Sequence, residues 1–169
     1  MNPWNAVYVA SRHEKKVQDR LLARGIEAYA PLRRTLRQWS DRRKWVQLPL
    51  LPGYVLVKPA PAQRDAVLQE PGVVAYVRQE QQDAVVHQRE VDVLRGIEEL
   101  GYDAQVYAGD FTPGEQVRIT QGPLKGLAAQ IISSAQGNTV YAFLIEGLGQ
   151  RIRVVLPTAT LAHGAQQAA

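Results

Sequence analysis

Apolar and polar positions along the chain fall into short runs with different periods. Trp4 to Val9 is an apolar run of strand length, mixing aromatic and β-branched residues. Ser11-Arg12-His13-Glu14 then matches the S-x-x-E capping box, and Val17, Leu21 and Leu22 follow as an apolar stripe up to Gly25. A helix is predicted between the box and the glycine, which reads as its left-handed C-terminal stop. Ile26 to Ala30 predicts a second strand ended by Pro31, and Leu32 to Leu48 is polar with a turn signal at Ser40-Asp41, the pattern of a projecting hairpin. Leu50 to Val57 is the densest apolar segment, a Pro52-Gly53 turn feeding a strand. A short helix over Ala62 to Gln69, a strand over Val73 to Val77 and a helix over Arg89 to Leu100 complete this part; Val91, Leu94, Ile97 and Leu100 give the last its helical spacing.

That order predicts an α+β fold, a split βαβ sandwich with helices on one face of a mostly antiparallel sheet, over residues 1–100. Residues 101–113 mix Gly, Asp, Thr and Pro without sustained period and read as a linker. Beyond them Gln116 to Thr120, Ala129 to Ser133, Val140 to Ile145 and Arg151 to Leu156 are short strands between glycine-containing turns. They predict a small β-barrel over 114–163, followed by a disordered Ala- and Gln-rich tail at 164–169.

Composition narrows the chemistry. The 169 residues include no cysteine, which excludes disulfides, thiolate metal sites and a cysteine nucleophile. No apolar run reaches membrane-spanning length and no secretory leader is visible, so a cytoplasmic protein without membrane contact is expected. His13, His87 and His163 lie far apart, and no G-x-S-x-G, H-E-x-x-H or P-loop occurs. The expectation is a protein that is not an enzyme and needs no metal or cofactor.

Charge adds more through its distribution than through its sum of +4. Residues 1–60 carry 12 basic and 4 acidic side chains, 61–108 carry 4 and 9, and 109–169 carry 4 and 3. Arg12, Lys16, Arg20 and Arg24 recur every four residues and drift only about 40° per step around a helix. They make either a solvated face opposite the apolar stripe or a track for a phosphate backbone. Arg33, Arg34, Arg37, Arg42, Arg43 and Lys44 cluster against one acid, Asp41, with Trp39 and Trp45 interleaved. This suits phosphate contact with stacking on unpaired bases, or else two tryptophans half-buried at a hairpin base. On the Leu50 to Val57 strand both faces are apolar, which means core on both sides or a docking patch on one.

Several of these segments resemble one family. Trp4 to Tyr8, Arg12-His13-Glu14-Lys15-Lys16-Val17, Arg37-Gln38-Trp39-Ser40-Asp41-Arg42 and Leu50 to Val57 resemble the N-terminal (NGN) domain of NusG-like transcription elongation factors. Gly114 to Ile119 and Gly122-Pro123-Leu124-Lys125-Gly126-Leu127 resemble the KOW motif of the same family's C-terminal SH3-like barrel. The Arg37 to Arg42 string is most similar to the specialised RfaH and UpxY types. Ala129 stands where the family usually has Gly, an exchange that is harmless on a strand if φ is negative.

The resemblance implies a monomeric antitermination or elongation factor that rides on RNA polymerase, operon-specific rather than general. It implies a polymerase-binding patch of Tyr54, Leu56, Leu51 and Pro52 for the clamp helices, and contact to non-template or upstream DNA through Arg12, Lys16, Arg20, Arg24, Arg37, Arg42 and Arg43. A second partner, a ribosomal protein or a termination factor, is expected at Leu124, Lys125 and Phe143. The contrasting expectation is a free-standing RNA-binding or ribosome-associated protein.

Overall fold

The computed structural model describes residues 2–106, 116–119, 124–126, 128–135, 138–157 and 163–165. By contact the chain divides into two units, one of Met1–Leu32, Pro49–Gln88 and Glu146–Leu148, the other of Arg33–Leu48, Arg89–Ile145 and Gly149–Ala169.

In the first unit β1 (Trp4–Val9) leads into α1 (Glu14–Ala23), and β2 (Glu27–Tyr29) follows. The capping box does not form. His13 occupies the N-cap position without a side-chain cap, and Arg12 takes a left-handed φ of 64°. Glu14, buried, turns its carboxylate away from the helix end and accepts the Gly53 backbone N–H at 2.9 Å. The helix stops where expected, with Gly25 at φ 72°. Leu22, read as part of the apolar stripe, is exposed, and the inward stripe is Val17 and Leu21.

After the β3 (Leu32–Gln38) and β4 (Arg43–Pro49) hairpin, which pairs only within itself among the described residues, β5 (Tyr54–Lys58) returns to the main sheet. A single 3-10 turn precedes α2 (Arg64–Leu68), and β6 (Val73–Tyr76), β7 (Arg78–Gln79), β8 (Gln82–Asp83) and β9 (Val85–Val86) follow. The sheet runs β2-β5-β1-β6, with β9 also on β1, and its pairings are antiparallel.

The registers Ala6↔Leu56 and Tyr8↔Tyr54 assign the two faces. Val7, Val9, Ala28, Val55 and Val57 point one way and enclose a core with Val17 and Leu21 of α1 and Val67 of α2. Full burial of a Val or Leu side chain in this layer contributes roughly 1.5–3 kcal/mol. Trp4, Ala6, Tyr8, Tyr54 and Leu56 point the other way.

The second unit contains the hairpin, most of α3 (Gln88–Leu100) and the remaining strands. On α3, Val91, Leu94 and Ile97 are buried at the expected spacing, as are Val93 and Glu90. Within the stretch read as a linker, β10 (Asp103–Val106) is a strand, pairing β14 (Gln150–Pro157) from Asp103↔Val155 to Val106↔Ile152. Four residues were too few to show a period, yet Ala104 is buried as an alternating strand requires. The sheet order is β10-β14-β13-β12-β11-β15, with β11 (Gln116–Ile119), β12 (Ala128–Ala135), β13 (Asn138–Ile145) and β15 (His163–Ala165). Along β14 buried Ile152, Val154 and Leu156 alternate with half-buried Arg151, Arg153 and Val155. β15 reaches Ala165, inside the stretch expected to be a tail, because Val117↔Ala165 and Arg118↔Gly164 extend the sheet; residues 166–169 lie outside the described residues. Ala129 is an ordinary buried strand residue opposite Val117, and the only non-glycine residues with positive φ among those described are Arg12, Glu80 and Gln81.

Candidate functional site

The expected polymerase patch separates into exposed and buried parts. Leu51 and Leu56 are fully buried, so neither offers surface in this structure; Leu56 sits mid-strand between Ala6 on β1 and Tyr29 on β2. Pro52 is exposed and Tyr54 half-buried at the end of the same strand. Tyr54 packs on Tyr8, with ring centroids 5.3 Å apart and planes tilted by 44°, and Tyr8 is 41 % exposed. The available surface is therefore an aromatic pair flanked by the Pro52 turn. Tyr8 was missed in the sequence because its place beside Tyr54 depends on strand register. Further along this face Trp4 is buried, its indole N–H donates to Gln88 Oε1 at 2.8 Å, and the Lys58 ammonium lies 5.7 Å from its ring.

The basic residues of α1 also divide. Arg20 and Arg24 converge on Glu70, whose side chain is only 5 % exposed, with N–O distances of 3.7 and 3.1 Å. Arg20 also donates to the Pro71 carbonyl and Arg24 to the Ala66 carbonyl. These two guanidiniums brace α1 against the segment after α2, which lowers their availability to a phosphate. Arg12 and Lys16 are exposed, Arg12 on the turn before the helix rather than on it.

The hairpin carries the densest positive charge. Both tryptophans are exposed, Trp39 by 50 % and Trp45 by 58 %, so burial at the hairpin base is not their role. The Trp39 N–H donates to the Arg42 carbonyl at 2.7 Å, closing the Ser40-Asp41 turn. The Arg34 guanidinium lies 5.5 Å from the Trp45 ring centroid, and Arg43 Nε donates to Gln38 Oε1 at 2.7 Å. With the two-residue alternation of strands, these contacts put Arg34, Leu36 and Gln38 on one face with Arg43, Trp45 and Gln47. Arg33 and Arg37 share the other face with Lys44. Arg37, Arg42, Arg43 and Lys44 are all exposed.

A cavity of about 600 Å³ in the first unit is lined by Arg64, Asp65, Leu68, Val74, Tyr76 and Asp83 among others. Arg64 pairs with Asp83 and lies 4.3 Å from the Tyr76 ring centroid. Burial, more than the opposing pull of Arg64, raises the Tyr76 phenol above its ordinary pKa of 10.0, and Asp83 and Asp65 add to the rise.

In the second unit Leu124 and Phe143 are interior residues, so of the three positions expected to meet a further partner only Lys125 is at the surface. Among the described residues no group of three or more His, Cys, Asp or Glu is placed to hold a metal ion, and no helix is long and apolar enough to cross a membrane.

The family model NusG, described as transcription termination factor nusG, matches residues 2–95. Among solved structures, one titled "Domain interaction in Thermotoga maritima NusG" is similar over 95 % of this chain and 96 % of that one, with a TM-score of 0.60 at 23 % identity, a likeness of fold. The MjSpt4:Spt5 complex in conformation B aligns over 98 % of this chain and 99 % of that one, at 17 % identity and a TM-score of only 0.28. A comparison with curated proteins finds no match. With the family model covering more than half of its length, the chain belongs to the NusG family of transcription elongation factors, proteins that bind RNA polymerase and are not enzymes.

Proposed function

We propose that this chain promotes processive elongation by binding RNA polymerase through the Tyr8–Tyr54 end of its main sheet. The observation that carries this reading is the partly exposed aromatic pair beside an exposed Pro52, on a strand whose inward neighbours Val55 and Val57 are locked into the core. Aromatic side chains with a polar tip are favoured at protein interfaces because they bury large area at low entropic cost. Leu51 and Leu56 support that surface from within rather than forming it.

Arg12 and Lys16, with Arg37, Arg42 and Arg43 of the hairpin, supply positive charge for non-template or upstream DNA near the polymerase. Phosphate contacts of this kind position a protein without reading sequence. The Arg37 to Arg42 string supports an operon-specific antitermination role. The KOW-like region over 114–163 then recruits a further partner, a ribosomal protein or a termination factor, through a surface that includes Lys125. The factor acts as a monomer in the cytoplasm.

Single-round transcription with purified bacterial polymerase tests this function. Addition of the protein is expected to shorten pauses and increase run-off product, and a Tyr8→Ala/Tyr54→Ala variant to lose that effect. Identical pausing with and without the wild-type protein contradicts it.

A further inference from the structure

The two faces of the β3–β4 hairpin are chemically unlike. One face presents Arg33, Arg37 and Lys44 beside Thr35, Val46 and Leu48. The other holds Trp45 and Leu36, 58 % and 45 % exposed, with Arg34 over the indole and Arg43 on the same face. Beside Trp45 opens a groove of about 520 Å³ lined by Arg34, Trp45, Val46, Gln47 and Glu98. Its walls combine a flat π-surface, a cation, an amide that both donates and accepts, and a carboxylate that accepts.

This chemistry selects among polyanions. Six cations against the single Asp41 between residues 33 and 44 favour a phosphate chain. A duplex keeps its base faces stacked inside, so only an unpaired base offers a π-face to Trp45. Gln47 and Glu98 line the groove beside the ring, and a base edge carries amino or imino donors that their oxygens accept. The groove is large enough for one heterocycle.

We propose that this face of the hairpin is a clamp for single-stranded DNA, in which Trp45, backed by Arg34, stacks one unpaired base in the Gln47–Glu98 groove while Arg43 takes a neighbouring phosphate. The proposal deepens the DNA contact described under the proposed function and rests on that reading for the choice of DNA. Trp39 at the turn offers a second, less enclosed ring to the same strand.

The test titrates the full chain with a short fluorescent single-stranded DNA, its duplex and the RNA of the same sequence, across a series of salt concentrations. Single-stranded DNA is expected to bind tightest. Trp45→Ala should weaken it by about five-fold or more, the lower end for loss of one stacked base, with the salt dependence unchanged. Trp45→Phe should recover most of the loss, and Arg43→Gln should reduce the slope of log affinity against log salt by about 0.7. Because Trp45 is exposed, an unchanged circular dichroism spectrum and unfolding midpoint accompany these effects. Equal affinity of Trp45→Ala and wild type, or tighter binding of the duplex or of the RNA, overturns the proposal. Failure here is separable from failure of the polymerase reading: Trp45→Ala should still be retained on polymerase, and a Trp45-dependent strand affinity without polymerase retention would uphold the clamp alone.

Discussion

The Glu14 carboxylate accepts the backbone N–H of Gly53, fastening the first turn of α1 to the turn that delivers Tyr54 into β5. Gly53 itself takes φ 83°, a conformation that a side chain would strain, and its carbonyl receives the Val9 N–H at 2.9 Å. Helix, first strand and candidate docking strand are thus locked at one point. Glu14→Ala removes the acceptor of a partly buried N–H and is expected to cost about 1–3 kcal/mol, and Glu14→Gln less, because its amide oxygen still accepts. Urea unfolding of both variants checks the order; equal stability of Glu14→Ala and wild type would remove this link.

Glu70 holds two arginines, and its removal has two opposed effects. Glu70→Gln should lower stability by about 1–2 kcal/mol, discounted because both guanidiniums are close to half exposed. The same change removes the carboxylate that neutralises Arg20 and Arg24, which keep their carbonyl partners, and should strengthen DNA binding at low salt, with a steeper salt dependence. Unfolding and titration measured on one preparation separate the two effects.

Gly72 combines a φ of 99° with close neighbours: an added Cβ would lie 3.1 Å from Val17 Cγ2 and 3.2 Å from the His13 side chain. The Gly72 carbonyl also accepts the Ala10 N–H at 2.8 Å, so the backbone has little room to shift. Gly72→Ala is expected to destabilise by about 1–3 kcal/mol. An unchanged unfolding midpoint contradicts this.

Tyr76 contributes to the loss of stability at alkaline pH. Its phenol is raised above 10.0 in the folded chain, so folding favours the neutral form. The resulting stability is fully present below pH 10, the unfolded value, and is lost as pH rises through the folded pKa. Tyr76→Phe should flatten the loss of stability above pH 10 and remove one phenol that titrates above its ordinary range from an ultraviolet titration. An unaltered titration curve would show that another tyrosine is responsible.

Much of this fold was legible in the sequence because its elements carry their own period. β1 falls on Trp4 to Val9 as the pattern has it, and the hairpin is recognisable from Ser40-Asp41 between basic arms. β7, β8 and β9 were not, since two residues cannot display alternation, and β15 was hidden in an Ala-rich end. Ser11-Arg12-His13-Glu14 had the composition of a capping box, but a tertiary partner, the Gly53 N–H, outcompetes the local one. Likewise the apolar string around Leu56 shows that both faces of β5 are hydrophobic without showing which is covered; burial of Leu56 and partial exposure of Tyr54 are facts of packing. The positive charge was visible, whereas Glu70's hold on Arg20 and Arg24 joins residues too far apart in the chain to read.

Retention on immobilised RNA polymerase shows whether the Tyr8–Tyr54 surface holds the enzyme. Salt is set at a level that abolishes free nucleic-acid binding, so that electrostatic capture does not contribute. The wild-type chain is expected to be retained and the Tyr8→Ala/Tyr54→Ala variant lost, with the circular dichroism of the variant still that of a folded protein. Retention of that double variant at the wild-type level would contradict docking at this surface.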